Sequence, residues 1–277
     1  MPSFYLLCAN GSNGDGGDEM LAGYGTYGNW LRKVDYYRSA NETGWRGKIR
    51  PLAKAAMPWR YSQAYDTSSD PQHWTDCVNR YTDAARERLW RPELRFLTDQ
   101  RDEAFDHAFE IGGGLRGVNR VQRCDMETFL PEDILCKVDI ASMRFGLEVR
   151  PPMLDRNFFG SVSSIAPGAL YARDSDGHSY SGKIPLKTLA AKKLGGAFAN
   201  RPKQGFVMPL QSWFDRNTGQ ADDVRQRLTD PGASIAQWFE QEQVHVNLDA
   251  GRVVNVWLLL VLEEWLCQIG SRETSAA

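Results

Sequence analysis

Residues 1–27 read MPSFYLLCANGSNGDGGDEMLAGYGTY. The centre of this stretch carries three closely spaced glycines, Gly14, Gly16 and Gly17. Glycines adopt positive φ angles without strain, so their N–H groups can converge on an anion, while Asp15 and Asp18 supply the hard oxygen ligands that Mg²⁺ prefers. Asp18 is also a good N-cap for a helix starting near Glu19. The stretch therefore indicates either a loop for a metal-bound polyphosphate or a helix-capping turn.

Length and charge limit the classes of protein that remain. With 277 residues and 42% hydrophobic content, the chain can bury one large core or two small ones. The chain has 33 Lys and Arg residues and 35 Asp and Glu residues, which gives a formal net charge of −2. No global field attracts nucleic acid or an anionic membrane, so neither is expected as a partner. Any anion site must be local.

The cysteines and the apolar runs predict a cytoplasmic protein. Five cysteines are widely spaced and lack the CxxC pattern, namely Cys8, Cys77, Cys124, Cys136 and Cys267. An odd number of scattered thiols is typical of a reduced compartment. The N-terminus carries no basic segment followed by a long apolar run, and the apolar run Val256–Leu262 is too short to span a bilayer.

The chain divides into regions of different character. Residues 19–112 are rich in aromatic residues and predict a helical insertion, with helical patterning from Asp76 to Trp90. Residues 121–215 hold most of the unusual residue groupings. Residues 220–270 predict two or three helices, of which the last is apolar around most of its circumference and is expected to be buried. Residues 271–277 predict a disordered polar tail. The candidate strands are Leu6–Ala9 and Leu147–Arg150.

Residues 129–155 read FLPEDILCKVDIASMRFGLEVRPPMLD. Pro131 predicts a helix start, and apolar residues follow it at helical spacing, with Lys137 and Asp139 on the other face. Glu148 and Arg150 alternate with apolar residues in a short extended segment. Alternate positions of a strand point the same way, so these two side chains are expected to share one face.

Basic residues recur further along the chain. Lys183 precedes a helical run, and residues 201–206 read RPKQGF, with Lys203 two positions before Gly205. A lysine held in such a loop can reach a phosphate or a developing oxyanion and stabilise its charge. A solvated basic loop is the alternative interpretation.

The order and spacing of these pieces resemble the synthetase domain of glutamine-dependent asparagine synthetases over about residues 1–266. The resemblance is densest in NGDGGDEMLAGY, in LPEDILCKVDIASMRFGLEVRPPMLD and in residues 183–206. In the last block, family residues recur 3, 18, 20, 22 and 23 positions after Lys183, at Leu186, Arg201, Lys203, Gly205 and Phe206. Coincidence at so many fixed offsets is improbable.

The resemblance implies a fold and an activity. The fold would be a truncated adenine-nucleotide alpha-hydrolase-like α/β domain spanning residues 1–270, predominantly helical in the part present. The activity would be ATP-dependent amide ligation, in which the aspartate β-carboxylate is adenylated, pyrophosphate leaves, and ammonia attacks the acyl-adenylate to give asparagine. ATP and Mg²⁺ are the implied cofactors, and aspartate and ammonia the implied substrates.

The resemblance also implies roles for individual residues. The glycines of the first loop, Gly14, Gly16 and Gly17, would bind the nucleotide together with Lys183. Asp18 would be a Mg²⁺ ligand, and Lys203 would stabilise the adenylation transition state and intermediate. Glu148 would orient a catalytic side chain at the position of Asp15.

The chain also departs from the family pattern. Residue 2 is Pro, where family members place the cysteine nucleophile of a glutaminase domain, and the ATP-loop signature SGGxDS does not occur. The segment Cys8–Ser12 replaces a hydrophobic strand, and its glycine and asparagine disfavour a buried strand. We therefore expect an inactive isolated chain with an exposed sheet edge and apolar surface, which needs a partner chain carrying the glutaminase and the ATP loop.

Two other functions stay open on the sequence. The same adenylation chemistry serves relatives that make another amide, such as β-lactam-forming enzymes and peptide cyclases, and no carboxylate-specific pocket is readable here. The chain could also be a non-catalytic synthetase remnant that acts as a binding or assembly module.

Overall fold

The structure is a computed structural model that describes residues 9–41, 70–98, 103–112, 114–174, 179–202, 208–214 and 219–276. Its strands are β1 (Ala9–Ser12), β2 (Leu147–Arg150), β3 (Ala172–Arg173) and β4 (Tyr180–Ser181). Strands β1 and β2 pair in parallel, and β3 and β4 pair in an antiparallel hairpin. The sheets are small, so packing of this protein depends mainly on helices.

Helices account for most of the described residues, as the sequence predicts. The earlier helices are α1 (Gly17–Met20), α2 (Gly25–Asn41), α3 (Asp70–Val78), α4 (Asp83–Leu89), α5 (Glu103–Ile111), α6 (Val118–Glu127) and α7 (Cys136–Met143). The later helices are α8 (Arg156–Ser163), α9 (Pro167–Leu170), α10 (Ile184–Leu194), α11 (Gly196–Ala199), α12 (Leu210–Trp213), α13 (Gly219–Thr229), α14 (Gln241–Asp249) and α15 (Val253–Ala276). Tighter 3-10 turns cover Pro92–Thr98, Pro152–Leu154 and Ser234–Gln237, and a π-helical segment covers Leu130–Leu135.

Strand β1 corrects one expectation. The glycine and asparagine of Cys8–Ser12 argue against a strand, yet Ala9–Ser12 pairs with all four residues of β2, from Ala9 opposite Leu147 to Ser12 opposite Arg150. A Cβ built on Gly11 would lie 3.7 Å from Val149 Cγ2, an ordinary packing distance. Backbone pairing with a partner rich in strand-forming residues thus overrides the weak propensity of β1. The predicted strand Leu147–Arg150 is confirmed, and residues 6–8 lie outside the described residues.

The described parts of residues 1–78 and 102–202 form the first of two compact units. Its core contains large aromatic and aliphatic side chains, among them Met20, Tyr27, Trp30, Trp74, Phe109, Val121 and Cys124. The aromatic region predicted at residues 19–112 therefore shares a core with α6, which lies partly in the region assigned to catalytic motifs.

The described parts of residues 79–101 and 203–277 form the second unit. Its core consists of Leu89, Leu228, Ile235, Phe239, Val244, Val256 and Leu259. The sequence predicts one continuous helix from Asp76 to Trp90, but the structure has two helices here, because residues 79–82 between α3 and α4 are not helical. Thr82 ends the interruption by accepting a hydrogen bond from Ala85 N at 3.3 Å, as an N-cap does.

Pro131 lies in the first turn of the π-helical segment, so the predicted helix start is confirmed at this position. The lack of an N–H group at proline suits a first turn, where no intrahelical acceptor is available. The helix that follows, α7, contains no buried residue. Its apolar side chains Ile140 and Met143 are exposed, and Phe145 just beyond it is 82% exposed.

Helix α15 corrects the expectation of a fully buried helix. One stripe of the helix, with Val256, Leu259 and Glu263, is buried in the second unit. A second apolar stripe is exposed, at Val254, Leu258, Val261, Trp265 and Ile269. A helix with apolar residues on most faces needs neighbours on most sides to be buried, and within the described part of the second unit only one side is covered.

Helix α15 is also longer than the sequence implied. By length and composition alone, Val253–Gly270 could cross a membrane, and 17% of this window is buried. One such helix is weak evidence, because core helices of soluble proteins and signal sequences pass the same test of length and composition. This window is longer than the apolar run Val256–Leu262, from which the sequence predicts no membrane span. The helix continues to Ala276, into the segment 271–277 that was expected to be a disordered tail. Arg, Glu and Ala in that segment are compatible with helix.

Candidate functional site

The loop after β1 and the turn after β2 meet at one edge of the parallel pair. Asn13 N donates a hydrogen bond to Arg150 O at 3.4 Å, so the carboxyl ends of both strands stay adjacent. In open α/β sheets, ligands bind outside the carboxyl ends of the strands. The Gly/Asp loop of residues 13–17 thus lies where a nucleotide site is expected.

Gly16 and Gly17 shape this loop. Gly16 has φ 79°, and a Cβ built on it would lie 2.1 Å from Leu154 Cδ2, so both conformation and space require glycine. Gly17 N donates to Gly14 O at 3.1 Å, and Gly17 begins α1. The N-cap of α1 is Gly16, without a side-chain cap. The alternative in which Asp18 is the N-cap is therefore wrong, because the helix starts one residue before it.

Asp18 and Lys183, predicted to act on the same ligand, lie against each other. Lys183 Nζ lies 3.1 Å from Asp18 Oδ2, and about a quarter of each side chain is exposed, 26% and 23% respectively. Lys183 is the N-cap of α10 and has φ 55°, an unusual angle for a residue other than glycine. Lys183 N donates to Leu21 O at 2.8 Å, which ties this strained residue to the turn after α1.

Two glycines allow this close approach. A Cβ built on Gly182 would lie 1.6 Å from Ala22 O. A Cβ built on Gly23 would lie 2.0 Å from Asp18 Oδ1 and 2.2 Å from Lys183 Cε. Real Cβ atoms do not approach other atoms this closely, so the pair of Asp18 and Lys183 depends on glycine at both positions.

Asp15 and Glu148 have separate partners. Asn13 Nδ2 donates to Asp15 Oδ2, and Asp15 N donates to Asn13 Oδ1 at 3.2 Å. Glu148 Oε1 accepts from Arg150 Nε at 2.7 Å, which confirms that these two side chains share a face. Within the described residues, no hydrogen bond joins Asp15 to Glu148. Lys203, with Gly205 and Phe206, lies outside the described residues.

A buried polar network adjoins the loop, and no sequence motif predicts it. Glu19 is 1% exposed, and its Oε1 accepts from Tyr24 Oη at 2.7 Å. Asp125, on α6, is 4% exposed and accepts from Tyr27 Oη at 2.8 Å. Burial raises the pKa of Asp125 to about 7, and burial also raises the pKa of Tyr24 and of Tyr27. The contact between Tyr27 and Asp125 joins residues 98 positions apart, so no local motif marks it.

The donor set suits Mg²⁺ bound together with a phosphate. Within the ranges that the structure describes, no three or more His, Cys, Asp or Glu side chains converge to hold a metal alone. Mg²⁺ is usually held by one or two carboxylates, with substrate phosphates and water completing its coordination. Asp18 supplies one carboxylate beside a lysine that can neutralise a phosphate. These residues fit the group that the resemblance implies.

Comparison with known proteins gives consistent results. A family model described as asparagine synthase matches residues 13–267. The chain is 23% identical over 262 residues to asparagine synthetase [glutamine-hydrolyzing] 1 of Bacillus subtilis, covering 91% of this chain and 39% of the relative. It is 26% identical over 206 residues to putative asparagine synthetases [glutamine-hydrolyzing] of Mycobacterium bovis and Mycobacterium tuberculosis, covering 73% of this chain and 30% of each relative. No solved structure matches the chain.

The chain spans about a third of the length of the curated relatives that it matches. Within that length, the matched region contains the loop at residues 13–17, Glu148 and Lys183. Because the family model covers nearly all of the sequence, the protein belongs to the asparagine synthase family.

Proposed function

We propose that this chain provides the metal and phosphate side of an asparagine synthetase. In the proposed reaction, a β-carboxylate oxygen of aspartate attacks the α-phosphorus of ATP and pyrophosphate leaves. Ammonia derived from glutamine then attacks the acyl carbon, so that asparagine, AMP and a proton result. The pairing of Asp18 with Lys183, over 165 residues of chain (183 − 18), carries this proposal. The pairing supports the proposal because it brings together a carboxylate able to bind a metal and a cation complementary to a phosphate.

The proposed roles follow from position. Asp18 binds the metal, and Lys183 contacts the departing phosphates, to which its charge is complementary. Gly14, Gly16 and Gly17 bring the loop backbone close to the nucleotide. Mg²⁺, when bound, would neutralise charge on the phosphates that the aspartate carboxylate approaches.

The proposal also includes the roles that the family resemblance implies for Glu148, Asp15 and Lys203. Lys203 stabilises the charge of the adenylation transition state, and Glu148 orients Asp15. In support, Asp15 lies in the loop after β1, and Glu148 lies in β2, the strand that pairs with β1. Arg150 donates a hydrogen bond to Glu148, and Asn13 donates one to Asp15.

The proposal includes additional polypeptide that supplies the glutaminase and the ATP loop. Two observations support it. The relatives are about three times as long as the matched region, and the surface beside β2 exposes Ile140, Met143 and Phe145. Parallel sheets are normally covered on both faces, so two parallel strands beside exposed apolar side chains favour a partner surface.

We also propose a cytoplasmic location for this reaction. The described cysteines, Cys77, Cys124, Cys136 and Cys267, are free thiols. Free thiols are typical of proteins from a reducing compartment.

One observation favours a second candidate, adenylation of a larger acyl group for a β-lactam or a cyclic peptide. An apolar cavity of about 440 Å³ lies beside the loop, lined by Met20, Met126, Leu130, Leu154, Arg156 and Phe159. Leu154 is the residue that packs on Gly16. Aspartate has too few apolar atoms to fill such a cavity, whereas a longer acyl chain with a carboxylate near Arg156 would.

Product analysis separates these candidates. The protein would be isolated from its own cells with the chains that copurify, and incubated with Mg-ATP, ammonium and a panel of carboxylic acids. Formation of asparagine, AMP and pyrophosphate from aspartate is the expected result. Turnover only with larger acyl substrates would favour the second candidate, and no AMP from any acid would favour a binding or assembly module.

A further inference from the structure

Helix α6 contacts the loop helix α1 through a buried amide. Gln122, 3% exposed, donates from Nε2 to Glu19 O at 2.7 Å and to Met20 O at 3.1 Å. The two acceptors are the last carbonyls of α1, which has only four residues. The final carbonyls of a helix have no partner further along the helix, so partners must come from elsewhere. Here one side chain, a hundred residues away, serves both.

The bonded carbonyls belong to the segment that carries Asp18. Asp18 precedes Glu19 directly, and Asp18 O accepts from Gly23 N at 2.7 Å where the chain turns after α1. Leu21 O, one residue beyond Met20, accepts from Lys183 N. Both members of the Asp18–Lys183 pair are therefore anchored to a turn that Gln122 holds from behind.

We propose that Gln122 is a positioning residue that fixes the turn after α1 and so sets the placement of Asp18 and Lys183. The inference rests on the proposed function for its consequence, metal and phosphate binding, but its geometry does not depend on it. The two carbonyl oxygens require a hydrogen-bond donor at this position. The carboxylate of Gln122→Glu would face two carbonyl oxygens, and the thioether of Gln122→Met would leave both acceptors without that donor.

A second contact supports the same role. Glu19, whose carbonyl Gln122 binds, is also held by its side chain, which accepts from Tyr24 Oη. Asp125 lies one turn from Gln122 on α6 and binds Tyr27 of α2. The same face of α6 thus holds the turn after α1 and the helix that follows it.

Hydrogen exchange tests the positioning directly, without nucleotide. In Gln122→Met, amides of residues 20–23 and of Lys183 should exchange about tenfold faster or more, because the turn opens more often. Amides of Leu228 and Val244, in the second unit, should be unchanged. Gln226→Met is the matched control, since Gln226 is exposed on α13. Unchanged exchange at residues 20–23 and Lys183 would overturn the inference. If Gln122→Met does not fold, Gln122→Asn, which keeps the amide on a side chain one methylene shorter, serves the same comparison.

A double-mutant cycle tests the consequence. With the protein isolated from its own cells, Gln122→Met should raise the Mg²⁺ concentration for half-maximal pyrophosphate exchange into ATP by about tenfold, a size typical for loss of an outer-shell partner. When Asp18→Asn is already present, adding Gln122→Met should change the Mg²⁺ requirement little further, because Gln122 acts on the metal through Asp18. Independent, multiplicative losses would contradict positioning through Asp18. If the protein shows no pyrophosphate exchange but Gln122→Met has the expected hydrogen exchange pattern, the proposed function is refuted and the positioning role stands.

Discussion

Gly16, Gly23 and Gly182 bring backbone segments close enough for Asp18 and Lys183 to meet. The sequence motifs identified Asp18, Lys183 and the loop glycines, because phosphate and metal chemistry restricts residue type at fixed spacing. Gln122, Glu19 and Asp125 were not predicted. Their roles depend on contacts between distant segments, and a single glutamine or aspartate on a helix has no local signature.

Replacing Gly23 by alanine tests the close approach at the candidate site. The added Cβ would overlap Asp18 Oδ1 and Lys183 Cε, so the pair must separate. We expect Gly23→Ala to reduce pyrophosphate exchange by about 100-fold, on the scale of a displaced catalytic group. Gly25→Ala is the control, because a Cβ on Gly25 meets nothing within 4 Å. Equal activity in both variants would show that the placement of the pair is unimportant.

The buried carboxyl of Asp125 predicts a pH dependence of stability. Its pKa is raised from 3.8 to about 7 in the folded protein. The folded state therefore holds a proton that the unfolded state has lost, and stability should fall as pH rises from about 4 to about 7 and then level off. Asp125→Asn cannot titrate, so it should gain on the order of 2 kcal/mol relative to the native protein between pH 5 and pH 8.

Urea unfolding at a series of pH values measures this difference. Asp106→Asn is the control, because Asp106 is exposed on α5 and should show no such gain. If the free energy of unfolding of Asp125→Asn and of the native protein changes with pH in the same way, the pKa of Asp125 is not raised in the folded protein, which would contradict this prediction.

Elements were predictable where local chemistry dominates. The strand Leu147–Arg150 and the helix start at Pro131 follow from alternation and from proline geometry. The predicted strand Leu6–Ala9 shares only Ala9 with β1, because the pairing with β2 supplies what Asn10 and Gly11 lack. Helix α15 was expected to be buried all round, since apolar composition does not reveal which faces find a neighbour.

Helix α15 stabilises the second unit through a buried cap. Glu263 is 3% exposed and accepts from Ser234 N at 3.0 Å and Ile235 N at 2.8 Å. Glu263→Ala leaves both N–H groups without this acceptor and should lower the free energy of unfolding by about 2 kcal/mol. Glu264→Ala, at the next position, removes an exposed ion pair with Arg227 and an exposed hydrogen bond from Gln268, and should cost less than about 1 kcal/mol.

Denaturant unfolding, together with hydrogen exchange at Leu228 and Val244, would measure the stability of these two variants. Both residues lie in the core of the second unit and neither N–H group binds Glu263, so their exchange reports opening of the unit. A loss from Glu264→Ala as large as that from Glu263→Ala would contradict the capping role.

At the scale of the whole molecule, the described residues form two units, and the chain matches about a third of the length of its relatives. The SGGxDS signature does not occur in the sequence. That loop would supply much of the backbone cradle for the nucleotide, so we expect the isolated chain to bind Mg-ATP more weakly than about micromolar. Isothermal calorimetry with the 277-residue chain measures this, and micromolar affinity would show that the loop is dispensable.

The central claim is that Asp18 and Lys183 form the metal and phosphate side of an adenylating site. Aspartate-dependent exchange of labelled pyrophosphate into ATP, by the protein isolated from its own cells with its associated chains, tests it most directly. We predict exchange in the native protein and in Lys192→Met, whose lysine is exposed at the end of α10. Asp18→Asn and Lys183→Met should each lose about 100-fold or more. Native-level exchange in either of these two variants would contradict the claim.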